Sequence, residues 1–539
     1  MTAPGIWTIG LALIYTITLV IAGRMAQRRQ VAGNASSFFV GGRNFSSLTV
    51  AFCITGLFSG SSFIAILELS YRTGISAIWY GVAESVQVVL IALLLVKPLR
   101  EKLVVTVSGL IGDRFGRLAL GVSGAITAFA FPMWSVATAI AFASALHTFT
   151  DLSIYTSIIG TALLLLFFLS AGGMKAVAVT QTMNCALFAV MAVIGLLAFY
   201  VRPGLSGLRE LTVDRPEMFD LFAAGPTLIV AWFGTFIVNV ILAQATFQMA
   251  LSCRTPEGGQ KGLFLAAWFG VPLILVGILL GMAAAIVVPD QGRGLIAVPH
   301  YIAEVLPAPL VGVFFLGVWA CALGWAGPCQ FSGATSLGRD VGRAVNPTAS
   351  EADLVRYTRW SLVLLTALMI GFAFLRAEDS AWWNVLAWTL RNGATLAPVL
   401  AAFFWPLADK RAAILSMLVG FATGIAWYHA GGWSPKEFFL DLHPVWVGMS
   451  ANLITMIVAT LAVTRWQLAG SRTCRFYAGL SGLALGSVAV VIVSFWDWLQ
   501  SFGFGGLALF SGVVLLSTIV FLLTIPAPGR AREEQLQPG

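Results

Sequence analysis

Two ionisable residues lie deep in otherwise apolar sequence, Glu84 in GVAESVQ and Arg391 in TLRNGATLAP. A charge held away from water is costly, so such residues pair with one another, carry protons or bind charged solutes. The Glu84 carboxyl could take up and release a proton. The planar guanidinium of Arg391 could neutralise Glu84 or clamp the carboxylate of a ligand. The other reading of Glu84 is a structural hydrogen bond, and that of Arg391 is a side chain reaching back to the nearer surface. Glu68 stands near the end of its apolar run, where an interfacial position is expected.

Neutral polar residues gather in two further places. The run SLTVAFCITGLFSGSSFIAILELS packs Gly56, Ser59, Gly60, Ser61 and Ser62 into its middle. A helix unwound there would present backbone carbonyls and amides to a cavity or a solute. Close helix packing through small residues is the alternative. The run GPTLIVAWFGTFIVNVILAQATFQ carries Asn239, Gln244 and Gln248. Ser59, Ser61, Asn239 and Gln244, with Gly60 between the serines, are the groups expected to touch a solute. Trp134, beside Pro132, and Trp325 could gate or stack, although among 18 tryptophans most serve packing or interfacial belts.

The elements that must position these residues are legible in the composition. Hydrophobic residues make up 59% of the chain and charged residues 10%, and the mean hydropathy is +0.90, which excludes a water-soluble fold. About fifteen runs are long enough to span a bilayer, near 5–23, 47–70, 76–97, 118–146, 152–171, 174–201, 221–251, 262–288, 308–338, 354–376, 380–405, 412–430, 444–464, 474–496 and 505–525. They are continuous rather than alternating, so the fold class is all-α, a polytopic integral membrane protein, and not a barrel. Most of the 31 Lys and Arg, among them Arg24, Arg28, Arg29, Arg43, Lys97, Arg100, Lys102, Arg254, Lys261, Arg339 and Arg343, fall on one side. The positive-inside rule then puts the N-terminus outside and the tail at 526–539 in the cytoplasm, with basic loops against anionic headgroups of the cytoplasmic membrane. The net charge of +8 follows from that distribution and gives no argument for nucleic acid.

Other classes are excluded in turn. Residues 5–23 lack the basic start and small-residue cleavage site of a signal peptide. The six cysteines avoid the outer loops, and His147, His300, His429 and His443 have no ligand-like spacing, so neither disulfides nor a metal site are expected. No loop is large enough for a soluble catalytic domain, and no Ser-Lys, His-Glu-x-x-His or Asp-pair constellation occurs in the runs, so an enzyme is not expected.

Several ordered motifs resemble the sodium:solute symporter family, whose members share a LeuT-type five-plus-five inverted repeat. FFVGGRN at 38–44 and YRTG at 71–74 look like the two flanks of the family's broken first core helix. GGMKAVAVTQTMN at 172–184 resembles a Gly-Gly-x-x-Ala-Val helix start. QATFQMALSCRTPEGGQKG at 244–262 resembles the cytoplasmic end of the sixth core helix. SLGRDVGRAVNPTASEADLVRYTRW at 336–360 resembles the link between core helices eight and nine, and FFWP at 403–406 the end of the tenth. The resemblance implies a core over 38–406, with a first repeat near 47–201 and a second near 221–405. Residues 1–37 then form an extra N-terminal helix and basic loop, and residues 407–525 extra C-terminal helices.

By that resemblance the chain holds a small solute at the bilayer midplane and moves it by alternating access, coupled to sodium. The principal sodium site would use carbonyls matching Thr55 and Phe58 and two hydroxyl residues on the eighth core helix. Counted back from Asp340, those two positions fall on Gly324 and Trp325, which have no side-chain oxygen; Cys321 on the same helix is grouped with them. A shifted register would offer Ser332, Thr335 and Ser336 instead. Gln181 stands where many members have an aspartate, and Met249 where many have arginine. Glu84 falls near a solute contact of the family. The departures imply weakened sodium coupling, a proton on Glu84 in its place, facilitated diffusion, or a solute sensor read by a signalling partner. The expected partners are a small-molecule solute and the lipid bilayer, and no cofactor is expected beyond Na+ or H+ as coupling ion.

Overall fold

The computed structural model describes residues 2–28, 35–101, 105–150, 152–291, 294–377, 380–434, 438–469 and 471–527. Within them the apolar runs are helices, because only a helix satisfies every backbone group inside its own segment. Eleven helices are long and apolar enough to cross a membrane, or twelve if one bent pair counts as a span; Ser47–Phe58 and Ile154–Ser170 are shorter apolar helices. One small strand pairing, Trp466–Leu468 with Thr524–Pro526, adds to the all-α expectation. The expected tail, apart from its first two residues, lies outside the described residues.

The principal helices are numbered α1 (Ala3–Arg28), α2 (Ala35–Val40), α3 (Ser47–Phe58), α4 (Ile64–Thr73), α5 (Ile78–Leu94), α6 (Arg117–Phe149), α7 (Ile154–Val201), α8 (Pro226–Asn239), α9 (Gln244–Ala250), α10 (Pro256–Val287), α11 (Gly294–Val305) and α12 (Ala308–Thr335). They continue with α13 (Glu351–Leu375), α14 (Ser380–Phe404), α15 (Lys410–Ala430), α16 (Pro444–Val463), α17 (Arg472–Ser494) and α18 (Gly505–Leu523). Their starts are capped from the sequence. Ser153 accepts from Thr156 N–H, Thr255 from Gly258 N–H before α10, and Ser350 forms a capping box with Asp353 before α13. His443 caps α16 by accepting from Val445 N–H, and burial pushes its pKa down to about 4, which keeps the ring neutral for that role.

Two compact units form. The first comprises Met1–Thr106, Phe131–Arg339 and Thr348–Asn384, the second Val107–Ala130, Asp340–Pro347 and Val385–Gly539.

In the first unit, two helical runs depart from regular α geometry. SGSSF at Ser59–Phe63 forms a π-helical stretch between α3 and α4, rather than the unwound segment the sequence suggested. The small residues also pack closely: a Cβ on Gly60 would lie 2.4 Å from the Cys321 carbonyl oxygen. The second break falls at Ala243, where α8 and α9 meet at a 52° bend. The motif residues at one end of these helices come together, since Phe45 and Cys253 form a β-bridge with Phe45 N–H donating to Ser252 O (3.0 Å) and Arg254 N–H to Phe45 O (3.2 Å). At the other end Tyr71 OH reaches the carbonyl oxygens of Val288 and Pro289 at 2.9 and 2.8 Å, tying α4 to the end of α10. Within α7, Gly173 (φ +53) marks the helix restart that the Gly-Gly motif implied.

In the second unit, α14, α15 and α16 cross through Gly393, Gly420 and Gly448, where a Cβ on Gly420 would lie 1.9 Å from the Gly393 carbonyl oxygen. Trp405 Nε1 donates to Thr524 Oγ1 (2.8 Å), joining the end of α14 to the end of α18.

Gly74 ends α4 with φ +57, and a Cβ there would lie 1.8 Å from Met218 O. Gly74→Ala is therefore expected to destabilise the protein by roughly 2 kcal/mol or more through left-handed strain plus collision. Gly160→Ala, with nothing within 4 Å, should leave thermal unfolding in detergent unchanged.

Candidate functional site

Three groups of buried polar residues surround the broken helices of the first unit. The first lies where α3, α7 and α12 meet. Pro328 has no N–H, so the carbonyl of Gly324, four residues earlier in α12, loses its helical donor. Gln181 of α7 supplies the missing bond: its Nε2 donates to Gly324 O at 2.6 Å. Gln181 Oε1 in turn accepts from Asn184 Nδ2 (3.1 Å), and Asn184 Oδ1 accepts from Tyr15 OH of α1 (2.6 Å). Gln181 and Asn184 are 1% and 0% exposed, so the relay is buried. Gly56 and Gly324 make room for it: a Cβ on Gly56 would lie 2.3 Å from Gln181 Oε1, and one on Gly324 would lie 2.3 Å from Gly56 O.

The second group lies on the other side of α3. A cavity of about 30 Å³, room for about one water molecule, is lined by Thr55, Phe58, Ser62, Glu84, Ser85 and Gly270 among others. The Glu84 carboxyl on α5 is 2% exposed, and the buried Thr55 hydroxyl has no hydrogen-bond partner among the described residues. Thr55, Phe58 and Glu84 are thus brought together.

The third group ties α9 to α12. Gln244 Nε2 donates to Ser332 O (3.0 Å) and Ser336 Oγ (2.9 Å), and Ser332 Oγ donates to Gln248 Oε1 (2.8 Å). Gln248 Nε2 donates to Phe39 O at 3.1 Å, so the latch also holds α2. Arg339 lies over the Phe39 ring and Arg359 over Phe38, which marks this as a basic end of the unit. Burial, then Arg100 and Arg339, push the Arg43 pKa down to about 10 there. Gln244 therefore serves helix packing in this conformation, and Ser332 and Ser336 bind side-chain amides.

The remaining expected residues are distributed as follows. Gly60 faces the Cys321 carbonyl and Trp325 Cβ, and the Trp325 indole N–H has no acceptor among the described residues. Asn239 ends α8, half-buried beside the second break. Trp134 is 2% exposed and meets Phe131 edge-on at 5.2 Å, a packing position. Met249 is fully buried. The side chains of Ser59 and Ser61 lie outside the described residues. In the second unit, Arg391 is 3% exposed, not at a surface, and its Nε and Nη2 donate to Asn392 Oδ1 at 3.2 and 3.0 Å.

Tyr15, Asn184 and Asn452 were not singled out in the sequence. A proline four residues after a carbonyl, as Pro328 follows Gly324, was the available signal.

Helices of membrane-spanning length, one run passing through a π-helical stretch and one pair bent at Ala243, with buried polar groups around both, give a LeuT-type fold. The sodium:solute symporter family matches residues 38–420, and the chain belongs to that family. An uncharacterized symporter of Escherichia coli (strain K12) is 22% identical over 82% of this chain and 82% of its own. The sodium/pantothenate symporter of the same organism is 21% identical, over 80% of this chain and 92% of its own. A solved structure of a Na+-coupled sialic acid symporter, substrate-bound and outward-open, superposes with a TM-score of 0.69 at 14% identity, covering 85% of this chain and 98% of that one.

Gln181→Leu leaves the buried Gly324 carbonyl without a donor and is expected to cost about 1–3 kcal/mol of stability. In a Pro328→Ala background, which restores an N–H to that carbonyl, the same substitution should cost less. A double-mutant cycle on thermal unfolding reads the difference.

Proposed function

We propose that the chain is a secondary transporter that carries a small polar organic solute across the cytoplasmic membrane by alternating access, with Glu84 coupling an ion to the cycle. The observation that carries this reading is the cavity shared by the Glu84 carboxyl and the Thr55 hydroxyl, which has no partner among the described residues, beside the π-helical stretch. A carboxyl in a nearly dry cavity can hold a proton in one orientation and yield it where water enters. Sodium is the competing ion, because the oxygens of Glu84, Thr55, Ser62 and Ser85 would also suit it.

In this reading residues 38–406 are the core, the chain spans the membrane fifteen times, and the N-terminus is outside with the C-terminal tail in the cytoplasm. Solute contacts are assigned to the residues at the two breaks, Ser59, Gly60, Ser61 and Asn239, with Trp134 and Gln244 joining in other conformations.

The test is uptake into proteoliposomes of purified protein, with amino acids, carboxylates and sugars offered under imposed proton or sodium gradients. Proton-driven accumulation that Glu84→Gln abolishes, with solute binding retained, is the expected result. Sodium-driven accumulation that survives Glu84→Gln would overturn the role of Glu84. Solute binding without flux under any gradient would overturn transport in favour of a sensor.

A further inference from the structure

We infer that the Gln181 carboxamide is a built-in substitute for a monovalent cation at the junction of α3, α7 and α12. Three oxygens converge there. Gly324 O is released from its helix by Pro328, Gly56 O faces the α-carbon of Gly324, and Gln181 Oε1 completes the group. A ring of backbone and side-chain oxygens at a dry helix junction is what a bare cation needs to replace its water. Here the positive end of a neutral dipole, the Gln181 NH2, meets the released carbonyl instead.

The tether makes the substitution permanent. An ion arrives and leaves with its concentration, whereas Gln181 is held through Asn184 of its own helix and, beyond it, Tyr15 of α1. It is also oriented, since Asn184 donates to Oε1 and so leaves the NH2 end for Gly324. No net charge is buried, so the junction avoids both the cost of an unpaired carboxylate and the need for a counter-ion. Gln181 is thus a positioning residue: it holds α12 against the start of the break in α3 without an ion, which leaves coupling to another site.

For transport the inference rests on the proposed function, but ion binding is readable without transport. Purified protein is melted in choline chloride and in increasing sodium chloride at constant ionic strength. Gln181→Glu places a carboxylate oxygen against Gly324 O, so this variant should melt below wild type in choline and recover saturably with sodium. Gln181→Leu should lose stability with no recovery, and wild type should show no sodium response that Gln181→Leu removes. Gln181→Asp, shorter and with room for an ion and a water, serves as a second variant with the same expected gain.

A folded Gln181→Glu or Gln181→Asp that ignores sodium overturns the inference. A sodium response of wild type that disappears in Gln181→Leu overturns it also, because the amide would then be a ligand of the ion. Should neither acidic variant fold, wild type against Gln181→Leu still tests the inference: a sodium response that the substitution removes overturns it, and a loss of stability equal in choline and in sodium is the result expected. Failure of uptake in the liposome assay leaves the melting result standing, so the two readings fail separately.

Discussion

The arrangement depends on one constraint: a backbone carbonyl released from a helix inside an apolar protein must be given a donor from somewhere else in the chain. Proline and helix breaks release such carbonyls, and side-chain amides meet them. Gln181 serves Gly324, released by Pro328. In the second unit Asn452 repeats the device, since its Nδ2 donates to Ala394 O (3.0 Å), the carbonyl released by Pro398, while its Oδ1 accepts from Ala397 N–H (2.6 Å). Gln248 serves Phe39 O before α3, whereas Gln244 adds a second donor to Ser332 O, which the Ser336 N–H already serves. An amide suits this work because it donates and accepts without burying a net charge.

The amides require space, and small residues create it. Gly56 and Gly324 admit Gln181, as Gly393, Gly420 and Gly448 admit the close crossing around Asn452. The same glycines bring backbones into contact, where dispersion replaces a hydrophobic effect that is weak between helices in lipid. Polar satisfaction and close packing are therefore one design, and substituting either partner disturbs both.

This explains which parts were legible in the sequence. Helix positions followed from apolar runs, and the Gly-Gly restart at Gly173 and the motif ends at Gly74 and Cys253 followed from motifs, because each is a local property of the chain. Glu84 and Arg391 stood out because a charge among apolar residues is conspicuous, and both are buried. Gln181 stood out only as a departure from a family pattern, and its partners did not stand out at all. Tyr15 and Asn184 are 169 residues apart, and neither is unusual in its own helix. The π-helical stretch at Ser59–Phe63 shows the reverse problem: clustered small residues announce irregularity but not whether the helix unwinds or widens by one residue.

The geometry of α3 links the two polar groups on its flanks. Thr55 lines the Glu84 cavity, whereas Gly56, the next residue, faces Gln181 and Gly324. Successive residues on a helix point about 100° apart, so this one turn is a thin partition between the proposed ion site and the amide junction. A ligand shifts a conformational equilibrium only through differential affinity for the two states. The junction joins α12 to α7 by a bond between neutral groups, Gln181 Nε2 to Gly324 O, and the inferred role gives it no ion to bind. The cavity can supply it, because Glu84 and Thr55 sit on different helices and their separation changes whenever α3 moves against α5. On the proposed reading, an ion in the Glu84 cavity would act by moving α3 relative to α5, while α12 follows through the Gln181 bond to Gly324.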